Sequence, residues 1–157
     1  MTRPIPQRRA VVLHRPAMRV AALDFGKVRI GLAVNDELGL MAHPRAALDA
    51  RDRGALYALL AEFAREEGIE LFLVGVPLDR DGAVGPAARK AEAFAEQVQA
   101  ATGCPVEFFD ERLTTTEAHR RLREGGHDAR SARSKVDSAA ACLMLQAWLD
   151  RHQGIER

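Results

Sequence analysis

The sequence predicts an α/β fold on a mixed five-stranded sheet, three antiparallel strands followed by βα crossovers, with helices on both faces. Three observations carry that expectation. Residues 19 to 48 divide into three extended segments separated by tight turns, the pattern of an antiparallel meander. Two later apolar runs, Ile69 to Val76 and Val106 to Phe109, each follow a helical stripe ended by a glycine. The resulting order, βββ-α-β-α-β-α-α, makes the sheet antiparallel on one side and parallel on the other.

The elements follow from local chemistry. Residues 19–25 read as a buried strand because Val20-Ala21-Ala22-Leu23 is continuously apolar, and Gly26-Lys27 turns the chain into a second strand, 29–35. Asp36-Glu37-Leu38-Gly39 makes the next turn, before an edge-like segment from Leu40 to Leu48 that Pro44 interrupts. Leu56, Leu59, Leu60 and Phe63 form a helical stripe that Gly68 stops. The strand 69–76 ends at Pro77 and leads into the loop 77–86. The next helix runs to about Ala101, with Ala91, Phe94, Ala95 and Val98 inward and Gly103 as its stop. After the strand 106–109, Thr114-Thr115-Thr116-Glu117 has capping-box spacing for a short helix ending at Gly125-Gly126. The last helix spans about Lys135 to Arg151, with Val136, Ala140, Leu143, Met144 and Ala147 inward.

A chain of 157 residues, 47% apolar and 29% charged, holds one ordinary domain and its core. That domain is assigned to residues 18–152, with 153–157 as a tail. Residues 1–17 form a basic extension with Arg3, Arg8, Arg9, Arg15, three prolines and no acid, and Met18 is an alternative start. Such a segment buries little and reads first as a flexible tail, second as a nucleic-acid-binding arm. Cys104 and Cys142 match no metal or redox spacing, and Cys142 reads as a small core residue. No apolar run approaches the roughly 20 residues of a membrane span, nor does the N-terminus offer a signal-peptide core. A soluble, cytoplasmic, reduced protein is expected.

Three acids stand at element ends. Asp24 closes the first strand, Asp110-Glu111 closes the run 106–109, and Asp137 opens the last helix. Hard cations such as Mg²⁺ and Mn²⁺ take carboxylate oxygens, and separate segments must converge to supply several. Asp24 and Glu111 lie at carboxyl ends of strands, where open α/β sheets place their sites. Each acid alone has a structural explanation: Asp24 as a turn former, Glu111 as the partner of Arg112, Asp137 as the third residue of a helix capped by Ser134. Neighbours on a strand point to opposite faces, so Glu111 is preferred as the ligand and Asp110 is held in reserve.

The stretches LDFGKVRIGLAVND, VGVPLDRDGAVGP, FFDERLTTTEA and SKVDSAAACLMLQAWLD, over roughly residues 18 to 152, resemble the YqgF/RuvX family. Its members are described as Holliday junction resolvases and as pre-16S ribosomal RNA processing nucleases of the RNase H-like superfamily. The resemblance implies an RNase H-like fold and a nuclease in which Asp24, Glu111 and Asp137 are the catalytic acids and ligands of Mg²⁺ or Mn²⁺. It suggests supporting roles for Arg29, Thr114, Thr115 and Lys135. Two departures stand out: Val28 where a basic residue is usual, with Lys27 one position earlier, and Asn35 where serine is common.

The segment 119–135 carries Arg120, Arg121, Arg123, Arg130, Arg133 and Lys135 against Glu124 and Asp128. With Lys27 and Arg112 it is the candidate nucleic-acid-binding surface, and without aromatic residues it suits backbone or shape recognition better than base stacking. The mechanism expected is two-metal phosphodiester hydrolysis, the ions about 4 Å apart, leaving a 5′ phosphate and a 3′ hydroxyl, with Lys135 or an arginine stabilising the phosphoryl charge. The rivals are a non-catalytic nucleic-acid-binding module and a small ATPase or phosphotransferase of the actin-like kind, for which 157 residues cannot supply the two lobes. Pre-ribosomal RNA and branched DNA both remain open as substrate. A resolvase acting on two strands is expected to form a homodimer, for which Leu38, Leu40 and Met41 are candidate contacts.

Overall fold

A computed structural model describes residues 17–78, 81–124 and 138–155. The element order is β1 (Val20–Phe25), β2 (Arg29–Asn35), β3 (Ala42–Asp49), α1 (Arg53–Glu67), β4 (Leu71–Val76), α2 (Pro86–Thr102), β5 (Val106–Asp110), a 3₁₀ turn (Glu111–Leu113), α3 (Thr116–Glu124) and α4 (Ala139–Ile155). The strands lie in the order β3-β2-β1-β4-β5. The β1–β2 and β2–β3 pairs are antiparallel, and the β1–β4 and β4–β5 pairs are parallel. This is the mixed sheet that the sequence predicts. Pro44 sits on the edge strand β3, where a missing N–H costs the sheet little.

Strand alternation divides the core into two layers. Ala21, Leu23, Phe72, Val74 and Val76 face α1 and α2, while Val20, Ala22, Leu73 and Phe109 face α3 and α4. Asp24 and Gly75 continue the second series, so both belong to the α4 side of the sheet.

α1 starts at the Asp52 cap, which accepts the Ala55 N–H, and both α1 and α2 end on left-handed glycines, Gly68 and Gly103. The α1 stripe differs from its expectation. Leu56, Leu60 and Ala64 are buried with Tyr57 and Phe63 beside them, and Leu59 is exposed. At about 100° per residue, position 59 falls on the flank of a stripe centred on Leu60. In α4, burial extends almost round the helix from Ala141 to Leu149, because the helix is wedged between the sheet and α3. Ala140 is exposed and Leu143 half-buried, contrary to the inward placement expected for both. Val136 lies outside the described residues.

Two buried polar side chains tie this architecture together. Gln146 accepts the Ala42 N–H at 2.9 Å and donates to the Leu40 carbonyl at 3.1 Å, fixing α4 to the start of β3. Asn35 accepts the Val20 N–H at 3.0 Å and donates to the Met18 carbonyl at 2.8 Å. The departure at Asn35 is therefore a strand-to-strand fastening. Cys142 is buried in the α4 layer, and burial pushes its thiol pKa up to about 12, which suits an inert core residue. Among the described residues, no helix is long and apolar enough to cross a membrane.

Candidate active site

The carboxyl ends of β1, β4 and β5 lie side by side, with Leu23 opposite Val74 and Gly75 opposite Phe109. Asp24 projects from β1 toward the α4 face. β5 stops at Asp110, and the 3₁₀ turn that follows swings Glu111 back over β4. Gly75 makes room for it: a Cβ there would lie 2.8 Å from Glu111 Oε1 and 2.9 Å from Met144 Sδ. A glycine inside an apolar strand marks a close approach of this kind. In the sequence, Gly75 interrupts the apolar run 69–76 and is the signal that could mark this approach.

Asp110 and Glu111 have separated tasks because the strand ends between them. Asp110 is the last residue of β5 and Glu111 the first of the turn, so the separation rests on the turn and not on the strand alternation expected from the sequence. Asp110 caps the 3₁₀ turn by accepting the Arg112 N–H at 3.0 Å, and it holds the Arg112 guanidinium at 2.6 Å and 3.0 Å. That guanidinium keeps the Asp110 carboxyl below the usual carboxylate range. Glu111 instead meets Asp24. Burial is the main cause that raises the Glu111 carboxyl above its ordinary value, followed by the Asp24 charge and a hydrogen bond to Asp24. Burial also raises Asp24, and the same hydrogen bond opposes that rise. The bond favours the proton on Glu111 and the charge on Asp24.

Asp24, Glu111, Thr114, Ala140, Leu143 and Met144 line a cleft between the sheet end and α4. Thr114 donates its hydroxyl to the Glu111 carbonyl at 3.2 Å, which closes the turn. Thr115 accepts the Ala118 N–H at 3.2 Å and caps α3. The cap is thus one residue later than the Thr114–Glu117 box expected, and Thr114 is left facing the acids. Glu117 pairs with Arg120 at 3.3 Å.

α4 is brought to the cleft by Ser138, fully buried, whose hydroxyl accepts the Leu32 N–H at 3.0 Å and donates to the Arg45 carbonyl at 2.6 Å. Asp137, Lys135, Arg130 and Arg133 lie outside the described residues. Among the described residues, no group of three metal-ligating side chains forms, and the acids brought together are the pair Asp24 and Glu111.

The remaining candidates divide. Lys27 and Arg29 are exposed at the β1–β2 turn, with Arg29 opposite Asp49 in register. Arg121 forms an ion pair with Asp150 of α4 at 3.1 Å, and Arg120 pairs with Glu117 and Glu124 of its own helix. The Arg120 partners stand three and four residues away on its own helix, a spacing visible in the sequence, whereas the Arg121–Asp150 pair depends on the approach of α4. Arg123 is exposed at the end of α3.

Residues 18–151 match the family described as RuvX, Holliday junction resolvase. A protein of Anaeromyxobacter sp. (strain Fw109-5) named "Putative pre-16S rRNA nuclease" is 49% identical over 136 residues, which span 86% of this chain and 99% of that one. One of the same name from Moorella thermoacetica is 42% identical over 85% of this chain and 96% of that one. Among solved structures, Thermus thermophilus RuvC in complex with a Holliday junction substrate superposes with a TM-score of 0.57 at 18% identity. It covers 86% of this chain and 96% of that one, and the likeness is one of fold, the RuvC-like RNase H fold.

Proposed function

This chain belongs to the RuvX Holliday junction resolvase family, and within that nuclease family we propose that it is a metal-dependent phosphodiester hydrolase acting on structured nucleic acid. Asp24 and Glu111 are two of its metal ligands and Asp137 is the third. The observation that carries the reading is the mutual contact of Asp24 and Glu111. Burial raises the pKa of both, so two negative charges there are costly unless a cation is shared between them. All-oxygen donors suit Mg²⁺ or Mn²⁺. Asp137 immediately precedes Ser138, the residue that fastens α4 to β2 and β3 beside the cleft.

Ions held by these carboxylates would supply an activated water and neutralise charge on the leaving oxygen. The chain's own part is positional. Gly75 and the Asp110–Arg112 pair hold Glu111 over β4, while Thr114 fixes the backbone of the turn. Ala140, Leu143 and Met144 form an apolar wall that limits water beside the carboxylates. Lys135 is assigned to stabilise charge on the phosphoryl oxygens.

The proposed substrate is precursor 16S rRNA, at its 5′ region; the relatives whose length this chain spans almost entirely bear the name "Putative pre-16S rRNA nuclease". The test is cleavage of a labelled precursor rRNA leader beside a four-way DNA junction, each with Mn²⁺, Mg²⁺ or EDTA. Metal-dependent cutting of the leader that Asp24→Asn abolishes supports the reading. Cutting of the junction alone transfers it to recombination, and binding without cutting of either probe replaces it with a non-catalytic module.

A further inference from the structure

The site leaves unanswered which surface holds the nucleic-acid strand beyond the scissile phosphate. Two loops meet at the same end of the sheet as Asp24 and Glu111. The β1–β2 turn carries Lys27 and opens β2 with Arg29, the β3–α1 loop carries Arg51, and α1 opens with Arg53. They are stitched together by the Ala50 N–H, which donates to the Val28 carbonyl at 2.7 Å, and by the pairing of Arg29 with Asp49. All four cations are exposed. Lys27 has no ionic partner among the described residues.

Arg51 and Arg53 are held in place without being buried. Asp49 grips Arg51 at 2.7 Å, yet the Arg51 side chain stays 74% exposed. Arg53 lies over the Phe25 ring at 5.0 Å, and Phe25 is the residue after Asp24. Asp24 points to the α4 face and Phe25 to the α1 face, so the cations run from the acid cleft over the sheet end toward α1. The acids of the same loop are already engaged: Asp49 pairs with Arg51, and the Asp52 carboxylate caps α1.

We propose that Arg51 and Arg53, with Lys27 and Arg29, form a phosphate-binding track that carries the substrate backbone from the acid cleft over the end of β1 and β2. It rests on the nuclease reading above and adds the strand's path to it. Arginines held on one side by a carboxylate or a ring keep N–H groups free for phosphate oxygens and lose little entropy on binding. Contacts to phosphate carry no sequence information, which suits recognition by shape.

The test is the salt dependence of binding of a fluorescein-labelled precursor rRNA leader to the full chain in EDTA, with a labelled four-way DNA junction as a second arm. Each phosphate contact contributes about 0.7 to 0.9 to the slope of log affinity against log salt. Arg51→Gln with Arg53→Gln should lower that slope by about 1.4 to 1.8 on the preferred probe. Arg51→Lys with Arg53→Lys should restore most of it. Arg65→Gln, at the far end of α1, gives the change expected from one generic surface charge. In cleavage, the glutamine pair should raise KM by a larger factor than it lowers kcat. A wild type that binds and cuts while the glutamine pair keeps its slope overturns the track alone, as does a lost slope that lysines fail to restore. A wild type that neither binds nor cuts either probe overturns the nuclease reading and the track with it.

Discussion

Glu111 and Asp24 face one another across the carboxyl ends of β5 and β1, and one hydrogen bond joins their carboxyls with the proton favoured on Glu111. The contact requires a strand that stops at Asp110, a turn that reverses Glu111, and a glycine at position 75 beneath it. Its consequences can be measured separately.

The pair makes stability depend on pH. Raised folded-state pKa values mean that these acids contribute stability fully below their ordinary values of 3.8 and 4.5, and the contribution is lost as pH rises through the folded values. Asp49, lowered to about 2 by Arg51, acts in the opposite sense, its contribution being lost as pH falls through that value. In EDTA the thermal midpoint should therefore rise as pH is lowered from neutral toward the ordinary carboxylate range. Asp24→Asn should flatten that rise and raise the midpoint at neutral pH. Calorimetric scans across the range check both, and a lower neutral midpoint in Asp24→Asn would contradict the like-charge account.

Gly75→Ala should damage the site. Its Cβ has no room between Glu111 Oε1 and Met144 Sδ, and relief requires moving the acid or the α4 wall. Both atoms belong to the outer parts of flexible side chains, so the stability cost should be at the low end of overpacking, about 1 kcal/mol. Cleavage should fall by tenfold or more, since small displacements of reacting groups are expensive. Denaturant melts and cleavage rates measured together test this, and an unaffected rate would show that Glu111 need not lie over β4.

Ser138→Ala removes both the acceptor of the Leu32 N–H and a donor to the Arg45 carbonyl in a fully buried place. Leaving those groups unpaired should cost about 1–3 kcal/mol. Because Asp137 is the preceding residue, kcat should fall further than stability alone explains. Chemical denaturation and single-turnover rates under folding conditions separate the two effects.

Arg121→Ala tests whether the α3 arginines serve the protein or its ligand. The Arg121–Asp150 pair is partly exposed and should be worth about 1 kcal/mol or less. A change in thermal midpoint with little change in RNA affinity is the expected result. A large loss of affinity would return Arg121 to the binding surface.

The fold was legible because its signals are local: glycine stops at 68 and 103, apolar runs for β1, β4 and β5, and tight turns in the meander. The misplacements came from tertiary context. Leu59 looks like its apolar neighbours in sequence, and only the packing centre of α1 puts it outside. Ala140 and Leu143 fit an inward stripe but stand at the open end of α4, where the cleft replaces the sheet. At the site, strand alternation did not apply to Glu111, which the 3₁₀ turn after Asp110 carries, and no local signal told Thr115, which caps α3, from Thr114. The partner of Arg121 depends on the approach of α4, which no local pattern announces.

The most direct test of the central claim is Mn²⁺ binding, followed by electron paramagnetic resonance, in wild type, Glu111→Gln and Asp137→Asn. If Asp24, Glu111 and Asp137 share the ion, each single replacement should weaken Mn²⁺ binding by tenfold or more while the thermal unfolding transition stays cooperative. Wild-type Mn²⁺ affinity in Asp137→Asn would contradict the convergence of the three acids.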